Sequence, residues 1–223
     1  MENSFAKYPS LYGKNVLITG GASGIGKELV QGFAEQDANV AFLDLNNDAG
    51  EQLSLDIGKN VFFQKCNLTE ISDLKSSIEK LRSQIGLFDV LVNNAAHDDR
   101  HNWEEVTEDY WDERFATNLK HQFFTIQSVA KDMIQKGGGS IVNIGSNSWM
   151  EAVGNFPAYA TAKSAVHGLS RTLARDLGIH RIRVNTVVPG WIMTDRQKEL
   201  WVTPEGLENQ YKRQCLPDLI EPV

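Results

Sequence analysis

Tyr159 and Lys163 are the residues whose types and spacing most directly predict chemistry. Positions i and i+4 share one face of a helix, so the lysine ammonium would lie near the tyrosine phenol. A neighbouring positive charge favours the phenolate and lowers the tyrosine pKa from its reference value of about 10. Tyr159 would then act as a general base near neutral pH. The alternative is an ordinary surface pair on an amphipathic helix.

A second cluster, AAHDDRH at residues 95–101, places two histidines, two aspartates and an arginine in seven positions. Three interpretations are open: a metal site, a substrate-binding loop or a solvated turn. His97 and His101 are four positions apart but precede the next predicted helix, so this spacing does not bring them together. A catalytic zinc site would also need a third fixed ligand. A metal site is the least favoured interpretation, and no metal ligand is assigned.

A glycine-rich segment, TGGASGIGK at residues 19–27, joins the first predicted strand to the first predicted helix. Glycines permit a tight turn there and let backbone N–H groups approach a pyrophosphate at the helix N-terminus. A Walker A loop would end in Gly-Lys-Ser/Thr, whereas this turn continues with Glu28. The pattern therefore predicts a dinucleotide-binding turn.

Asp44 ends the second predicted strand, eighteen residues after Gly26. A carboxylate at this point can accept hydrogen bonds from the adenosine ribose hydroxyls and repels a 2′-phosphate. No lysine or arginine precedes Gly24 in the turn. We therefore expect NAD rather than NADP as the cofactor, the alternative being a surface aspartate at a strand end.

The composition indicates one cytoplasmic domain over residues 1–223. A net charge of −7 without a basic run argues against nucleic acid as a partner. The sequence has no apolar stretch of membrane-spanning length, and residues 1–12 contain no signal-peptide core. Two cysteines, Cys66 and Cys215, are too few for a disulfide framework and indicate a reducing compartment.

The elements that must position these residues alternate between strands and helices, which predicts an α/β fold. Helices on both faces of a doubly wound parallel sheet make a three-layer α/β/α architecture of the Rossmann type. Ligands bind such sheets beyond the carboxyl ends of the strands, so residues 95–101 lie on the functional rim. The predicted strands are 14–19, 39–45, 61–66, 88–93, 140–144 and 183–188, and the predicted helices are 24–36, 51–57, 71–85, 111–135 and 158–177.

The chain resembles the short-chain dehydrogenase/reductase family. The resemblance rests on TGGASGIG (19–26), NNAA (93–96), Asn118, Ser146, YATAK (159–163) and PGWIMT (189–194). It implies a catalytic set of Asn118, Ser146, Tyr159 and Lys163. Tyr159 would be the general base, Lys163 would also bind the nicotinamide ribose, and Ser146 would hold the substrate oxygen. Asn118 would help to hold a proton-relay water.

The resemblance also implies which residues bind the cofactor. They are Gly20, Ser23, Gly24, Ile25, Gly26, Asp44, Asn67, Leu68, Asn93, Ala95, Tyr159, Lys163, Pro189, Gly190, Ile192 and Thr194. Two positions depart from the family pattern. Asn67 replaces the aspartate that usually lies near the adenine, and Ala96 replaces the last glycine of NNAG, where its methyl group would slightly crowd the cofactor.

Three segments resemble the aldose 1-dehydrogenases of this family: 93–101, 110–124 and 195–206. This implies oxidation of a sugar at its anomeric carbon to a lactone. The expected substrate residues are His97, Asp98, Asp99, Arg100, Ser146, Ser148, Trp149, Tyr159 and Trp191. Polar groups beside aromatic rings suit the polar rim and the apolar face of a sugar. Asp98, Asp99 and Arg100 have an equally favoured alternative, an internal salt bridge that shapes the loop.

Family members usually continue beyond the position of Val223 through a helix and a final strand, so the last strand is expected to be missing from this chain. Residues 195–215 are expected to form a lid over the substrate. The helices predicted at 111–135 and 158–177 would pair across a two-fold axis, giving a homo-oligomer, either a dimer or a tetramer. Two competing functions stay open: an NAD(P)-dependent carbonyl or 3-oxoacyl reductase, and a non-catalytic NAD-binding protein.

Overall fold

The computed structural model describes residues 6–222. Residues 1–5 and Val223 lie outside the described part. The prediction that residues 1–12 contain no signal-peptide core therefore falls partly outside the described residues. Among the described residues, no helix is long and apolar enough to cross a membrane.

Six parallel strands form one sheet in the order β3-β2-β1-β4-β5-β6. The strands are β1 Asn15–Thr19, β2 Asn39–Asp44, β3 Val61–Lys65, β4 Val90–Asn93, β5 Gly139–Ile144 and β6 Ile182–Val187. Thr19 on the central β1 lies opposite Leu43 of β2 and Asn93 of β4. The strand order reverses beside β1, so the ends of β1 and β4 border the crevice where ligands bind in such sheets.

Alternation along each strand sends apolar side chains to both faces of the sheet. Leu17 and Leu91 belong to a core under one face, together with Leu74 and Ile78 of a covering helix. Val16, Ile18 and Phe42 point to the opposite face and pack with Val30. Two cores on the two faces confirm the predicted three-layer α/β/α architecture.

Eight α-helices lie between or after the strands in the described chain. They are α1 Gly24–Glu35, α2 Asn47–Ile57, α3 Ile71–Ile85, α4 Glu108–Phe115, α5 His121–Gln135, α6 Pro157–Leu177, α7 Asp195–Leu200 and α8 Pro204–Arg213. The α2 helix begins four residues before the predicted start, because the Asn46 side chain accepts from the backbone N of Ala49 and caps it.

The single helix predicted at 111–135 is wrong in two respects. It begins earlier, since the Thr107 hydroxyl accepts from the backbone N of Tyr110 at 3.2 Å and caps α4 at Glu108. It is also interrupted by a π-helical turn over Ala116–Lys120 that separates α4 from α5. Such turns carry one extra residue and are frequent at functional sites. Asn118 lies at the centre of this turn.

The segment predicted as a lid, residues 195–215, contains α7 and α8. The backbone N of Met193 donates to the carbonyl of Ile220 at 2.8 Å and ties the end of the described chain to the segment before α7. At the other end, Arg213 on α8 pairs with Glu151 at 2.6 Å. Both helices are thus held against the rim of the sheet.

Candidate active site

A cleft of about 1240 Å³ follows the carboxyl ends of the strands. All six strands contribute to it, because the segments that follow them meet at one edge of the sheet. Its wall includes Gly20, Ser23, Ile25, Gly26, Asp44, Asn67, Leu68, Ala95, Ser146, Tyr159, Lys163, Pro189, Gly190, Ile192 and Thr194. Most of the predicted cofactor residues therefore line one continuous surface.

The glycine-rich turn is shaped by close backbone contacts. A Cβ atom on Gly26 would lie 1.8 Å from the carbonyl oxygen of Gly20, which leaves no room for any side chain. Gly20 and Gly24 have φ values of 67° and 52°, in the left-handed region that favours glycine. A Cβ on Gly24 would come within 3.2 Å of Thr194 Cγ2, so this turn and the 189–194 segment face each other.

The N-terminus of α1 offers unsatisfied donors to an anion. Ser23 occupies the N-cap position, yet its side chain makes no capping hydrogen bond. The first N–H groups of an α-helix have no partner within the helix, and the helix dipole favours negative charge there. The first turn of α1, with Ile25 and Gly26 on the cleft wall, therefore fits a pyrophosphate.

Asp44 stands beside this turn at the end of β2. Its Oδ2 accepts from the backbone N of Ala22 at 2.9 Å, and its Oδ1 accepts from the backbone N of Asn46 at 2.9 Å. These bonds hold the carboxylate on the cleft wall while each oxygen keeps a further lone pair. The wall residues around it, at 20–26, 44–45 and 66–69, include no lysine or arginine.

The two departures from the family pattern both lie on the cleft wall. Asn67 Oδ1 accepts from the backbone N and the hydroxyl of Thr69, at 3.2 and 2.9 Å. Its acceptor is thus used to shape the turn after β3. Ala96 is exposed on the wall.

Asn93, predicted to bind the cofactor, is fully buried behind the cleft rather than on its wall. Its Nδ2 donates to Asn143 Oδ1 at 2.9 Å, and Asn143 Nδ2 donates to Ser170 Oγ at 2.9 Å. Asn93 therefore joins β4 to β5 and supports the wall from behind. The period of two along β4 turns its side chain into the protein, so the Asn93 side chain does not line the cleft.

Three of the residues predicted to be catalytic, Ser146, Tyr159 and Lys163, come together where β5 and α6 meet. Ser146 follows β5, and its hydroxyl donates to Ser148 Oγ at 2.9 Å. Tyr159 lies in the first turn of α6, and its ring stacks on Phe156 with centroids 5.3 Å apart. Lys163, one turn later, is fully buried, and its Nζ donates to the carbonyl of Ile144 at 2.7 Å.

The expected lowering of the Tyr159 pKa is wrong for the protein without its cofactor. Burial raises the pKa of Tyr159 to about 12, although hydrogen bonding with Ser146 acts in the opposite direction. Burial also lowers the pKa of Lys163 to about 8. The Lys163 ammonium is directed at Ile144 and lies 5.8 Å from the centroid of the tyrosine ring, so it does not contact the phenol directly. Desolvation therefore dominates.

Asn118 is fully buried, and its side chain is used to hold the 97–101 loop. Its Oδ1 accepts from the backbone N of His97 at 2.8 Å, and its Nδ2 donates to the carbonyls of His97 and Arg114 at 3.1 and 2.9 Å. With every side-chain group engaged in this way, Asn118 fixes the start of the 97–101 loop. The π-helical turn is what points the amide at the loop.

Paired charges join the 97–101 loop to α7. Arg196 contacts Asp99 and lies 3.5 Å from Asp98 Oδ1. The His97 ring lies between Arg196, at 3.3 Å from its Nε2, and Arg114, which contacts its Nδ1. Burial lowers the pKa of His97, and the two guanidinium groups act in the same direction, opposed by Asp99. The salt bridge considered within this described loop, between Arg100 and Asp98 or Asp99, is not formed. The aspartates pair with Arg196 instead, and the Arg100 guanidinium lies over the Phe156 ring at 4.1 Å and the Trp201 ring at 5.2 Å.

The predicted substrate residues are divided by the structure into two groups. His97, Asp98, Arg100, Ser146, Ser148, Tyr159 and Trp191 line the cleft. Trp149 instead stacks edge-on against His167, with ring centroids 5.2 Å apart, beside a separate shallow depression. Asp99 contacts Arg196 and is absent from the cleft wall. The structure therefore does not bring these two side chains onto the wall of the main cleft.

The described residues contain no group of three or more histidine, cysteine, aspartate or glutamate side chains that could hold a metal ion. The two cysteines are free, with Cys66 buried and Cys215 exposed.

A comparison with protein families agrees with this geometry. The model of the short chain dehydrogenases matches residues 14–205, which include the glycine-rich turn, Asp44, Ser146, Tyr159 and Lys163.

The chain belongs to the short-chain dehydrogenase family.

Named relatives of this short-chain dehydrogenase cover nearly all of it. A D-xylose 1-dehydrogenase of Caulobacter vibrioides is 45% identical over 222 residues, spanning 98% of this chain and 88% of the relative. A probable galactose dehydrogenase of Rhizobium meliloti is 41% identical over 219 residues, spanning 96% and 86%. A solved short-chain type dehydrogenase/reductase from Mycobacterium ulcerans superposes with a TM-score of 0.89 at 25% identity, covering 95% of this chain and 80% of that one.

Membership makes this short-chain dehydrogenase an oxidoreductase with a nicotinamide dinucleotide cofactor. The free N–H groups in the first turn of α1 fit the pyrophosphate of such a cofactor, and the Asp44 carboxylate fits the hydroxyls of its ribose. Lys163, Tyr159 and Thr194 line the same cleft.

Several residues at the site of this short-chain dehydrogenase were not predicted from the sequence. Arg114 lies on the cleft wall four positions before Asn118, a helical spacing that was available as a signal. Gln197 links two substrate candidates, since its Nε2 donates to Asp98 Oδ2 at 2.8 Å and its Oε1 accepts from Trp191 Nε1 at 2.9 Å. Nothing local in the sequence indicates the Gln197 contacts.

Proposed function

We propose that the protein is an NAD-dependent aldose 1-dehydrogenase, which transfers a hydride from the anomeric carbon of a sugar to NAD⁺ and yields a lactone. The observation that carries this proposal is the pairing of charges at the mouth of the cleft. Asp98 and Asp99 pair with Arg196, while Arg114 pairs with Glu113. Because most charges at the mouth are paired with one another, the cleft suits a neutral, hydroxyl-rich substrate better than a charged one.

Tyr159 is proposed to accept the proton of the anomeric hydroxyl. Ser146, whose hydroxyl is fixed by Ser148, would hold the same oxygen and orient the sugar toward the base. Lys163 stabilises the phenolate through its buried positive charge. When bound, the nicotinamide supplies the hydride acceptor. The chain itself orients the sugar and moves the proton.

The sugar ring would lie between the 97–101 loop and the segment before α7. Asp98, fixed by Gln197, is a strong acceptor for sugar hydroxyls, and Arg100 is a donor on the same wall. Trp191 adds an aromatic surface for the apolar face of the ring. The names of two relatives, a D-xylose 1-dehydrogenase and a probable galactose dehydrogenase, support an aldose as the substrate class.

The activity test uses purified protein, NAD⁺ or NADP⁺, and a panel of pentoses and hexoses, with the reduced cofactor followed by absorbance at its near-ultraviolet band. We expect oxidation of one or a few aldoses with NAD⁺ and no turnover of simple secondary alcohols. Turnover of 3-oxoacyl thioesters with NADPH, and none of any aldose, would instead identify a carbonyl reductase. NADH binding without any turnover would favour a non-catalytic role.

Asp44 is proposed to select NAD over NADP. Asp44→Asn keeps one acceptor oxygen but removes the charge and the second acceptor, so kcat/KM for NAD⁺ is expected to fall about 10- to 100-fold. Loss of the repulsion toward a 2′-phosphate should raise kcat/KM for NADP⁺. The ratio of the two kcat/KM values is the measurement.

Asp48→Asn is the matched control for this change. Asp48 is exposed in the first turn of α2, four residues from Asp44, and its replacement removes the same charge from the same part of the surface. We expect it to leave the cofactor preference unchanged. An equal shift in both variants, or no shift in Asp44→Asn, would contradict the proposed role.

We also propose a homo-oligomer in a reducing cytoplasm. Support for association comes from exposed apolar side chains on α4 and α5, namely Trp111, Phe123 and Ile134, each more than a third exposed. Support for the compartment comes from the two free cysteines. Light scattering at several protein concentrations tests the association.

A further inference from the structure

The first turn of α6, which contains Tyr159, has no capping side chain at its own N-cap position. Phe156 occupies the N-cap position and makes no side-chain capping bond, because a phenyl ring has no acceptor. Pro157 follows it and has no N–H. The backbone N of Ala158 is therefore the first donor of the helix that needs a partner outside it.

His101 supplies this partner from another part of the chain. Its Nε2 accepts from the backbone N of Ala158 at 3.2 Å, across 57 positions of sequence. Its own backbone N donates to the carbonyl of Asn155 at 2.7 Å, just before the helix. Two bonds from one residue thus hold the chain on both sides of Phe156.

The remaining contacts of His101 fix the ring in the required state. An Nε2 that accepts must be unprotonated, so the ring proton is on Nδ1. There it faces the carbonyl oxygen of Asp99 and the hydroxyl of Tyr110, each at 2.9 Å. The Tyr110 ring also packs edge-on against the imidazole, with centroids 4.9 Å apart. Tautomer and orientation are both set by neighbours.

His101 does not line the cleft, so it acts on the reaction through α6. Ala158 directly precedes Tyr159, and Phe156 stacks on the Tyr159 ring. A displacement of this first turn would move the phenol relative to Ser146. Rates of proton transfer are sensitive to such displacements, since a misplacement of about 1 Å can cost about 100-fold.

We infer that His101 is a positioning residue that caps α6 and thereby sets the location of the Tyr159 hydroxyl. The inference rests on the proposed function of Tyr159 as the base. It also assigns a role to the second histidine of the 95–101 segment, which neither metal binding nor direct substrate contact explains.

Two amide substitutions of His101 each imitate one of its two ring nitrogens, so they test the contacts of Nε2 and Nδ1 separately. In His101→Gln the side-chain oxygen can take the place of Nε2 and accept from Ala158. In His101→Asn the shorter amide can take the place of Nδ1 and donate to Asp99, but it cannot reach Ala158. We expect kcat to fall about 10- to 100-fold in His101→Asn and His101→Ala, with recovery to within a few-fold of wild type in His101→Gln. The Kd for NADH should stay unchanged in all three.

Hydrogen exchange of the Ala158 amide provides a readout that does not depend on turnover. It should be protected in the wild type and in His101→Gln, and faster in His101→Asn and His101→Ala. Ser54→Ala, which removes the hydrogen bond from the Ser54 hydroxyl on α2 to the carbonyl of Val61, is the control: it should lower the melting temperature slightly without altering kcat or exchange at Ala158.

The outcomes distinguish this inference from the proposed function. If the wild type oxidises no aldose, the proposed function fails, while exchange at Ala158 still reports whether His101 caps α6. Equal exchange in all variants would overturn the cap. Faster exchange with unchanged kcat would overturn the positioning role. A loss of kcat in His101→Gln as large as in His101→Asn would also overturn it.

Discussion

Replacing Tyr159 by phenylalanine is expected to lower kcat for aldose oxidation by about 1000-fold or more, within the range attributed to general base catalysis. The phenyl ring can keep its stacking on Phe156, so the wall of the cleft should be retained. NADH should therefore bind with a Kd within a few-fold of wild type. Initial rates and a fluorescence titration of NADH measure the two quantities.

The pH dependence of the same reaction follows from the buried phenol. Burial raises the pKa of Tyr159 to about 12 in the protein alone, and a base is active only when deprotonated. The kcat/KM of the wild type should thus increase with pH below the pKa of the complex, which the positive charges of Lys163 and the oxidised cofactor lower. The rising limb should vanish in the phenylalanine variant. Tyr12→Phe, at a residue 75% exposed, should behave as wild type. Residual activity above about a tenth of wild type would exclude Tyr159 as the base.

Gly26→Ala should abolish cofactor binding and destabilise the fold. The new methyl group would lie 1.8 Å from the carbonyl oxygen of Gly20 and 2.6 Å from Asn94 Nδ2. Asn94 Nδ2 donates to the carbonyls of Thr19 and Gly20 at 3.1 and 2.9 Å, so the turn cannot shift without breaking these bonds. We expect the Kd for NADH to rise more than about 100-fold and the free energy of unfolding to fall by about 2–4 kcal/mol.

Gly32→Ala is the matched control on the same helix. A Cβ atom at Gly32 meets nothing within 4 Å, and this glycine lies inside α1. Alanine is the better helix former by about 1 kcal/mol, so this variant should be as stable as wild type or more so, with unchanged NADH binding. Calorimetric titration and urea unfolding measure both variants. Normal NADH affinity in Gly26→Ala would contradict the assignment of the turn.

The order of strands and helices could be predicted because each buried strand is a short apolar run between turn signals. Leu17 and Val16 illustrate the reason: both faces of a parallel sheet are covered, so neither position is polar. The interruption at Ala116–Lys120 could not be predicted in this way. A π-helical turn leaves the composition of a helix unchanged and alters only the phase between its two halves.

The placement of Tyr159 and Lys163 on one helix could be predicted because the two positions are local, one turn apart. The contacts that shape the rest of the site join distant positions, such as Arg196 with Asp99 and Gln197 with Asp98. No periodicity encodes these pairs. The direction of the Tyr159 pKa shift was missed for a related reason, because burial is a property of the assembled fold and not of the motif.

The buried ammonium of Lys163 lowers the stability of the fold, while the same charge is proposed to assist catalysis. Burial lowers its pKa from 10.5 to about 8, so below pH 8 the folded protein without cofactor carries a charge that costs about 3 kcal/mol relative to the unfolded chain. This cost declines as the folded form loses its proton above pH 8, and it disappears once the unfolded lysine is also neutral, above pH 10.5. Directed evolution for thermal stability alone would therefore favour an apolar residue at this position and yield a more stable but inactive protein. A useful screen has to select for turnover at the same time.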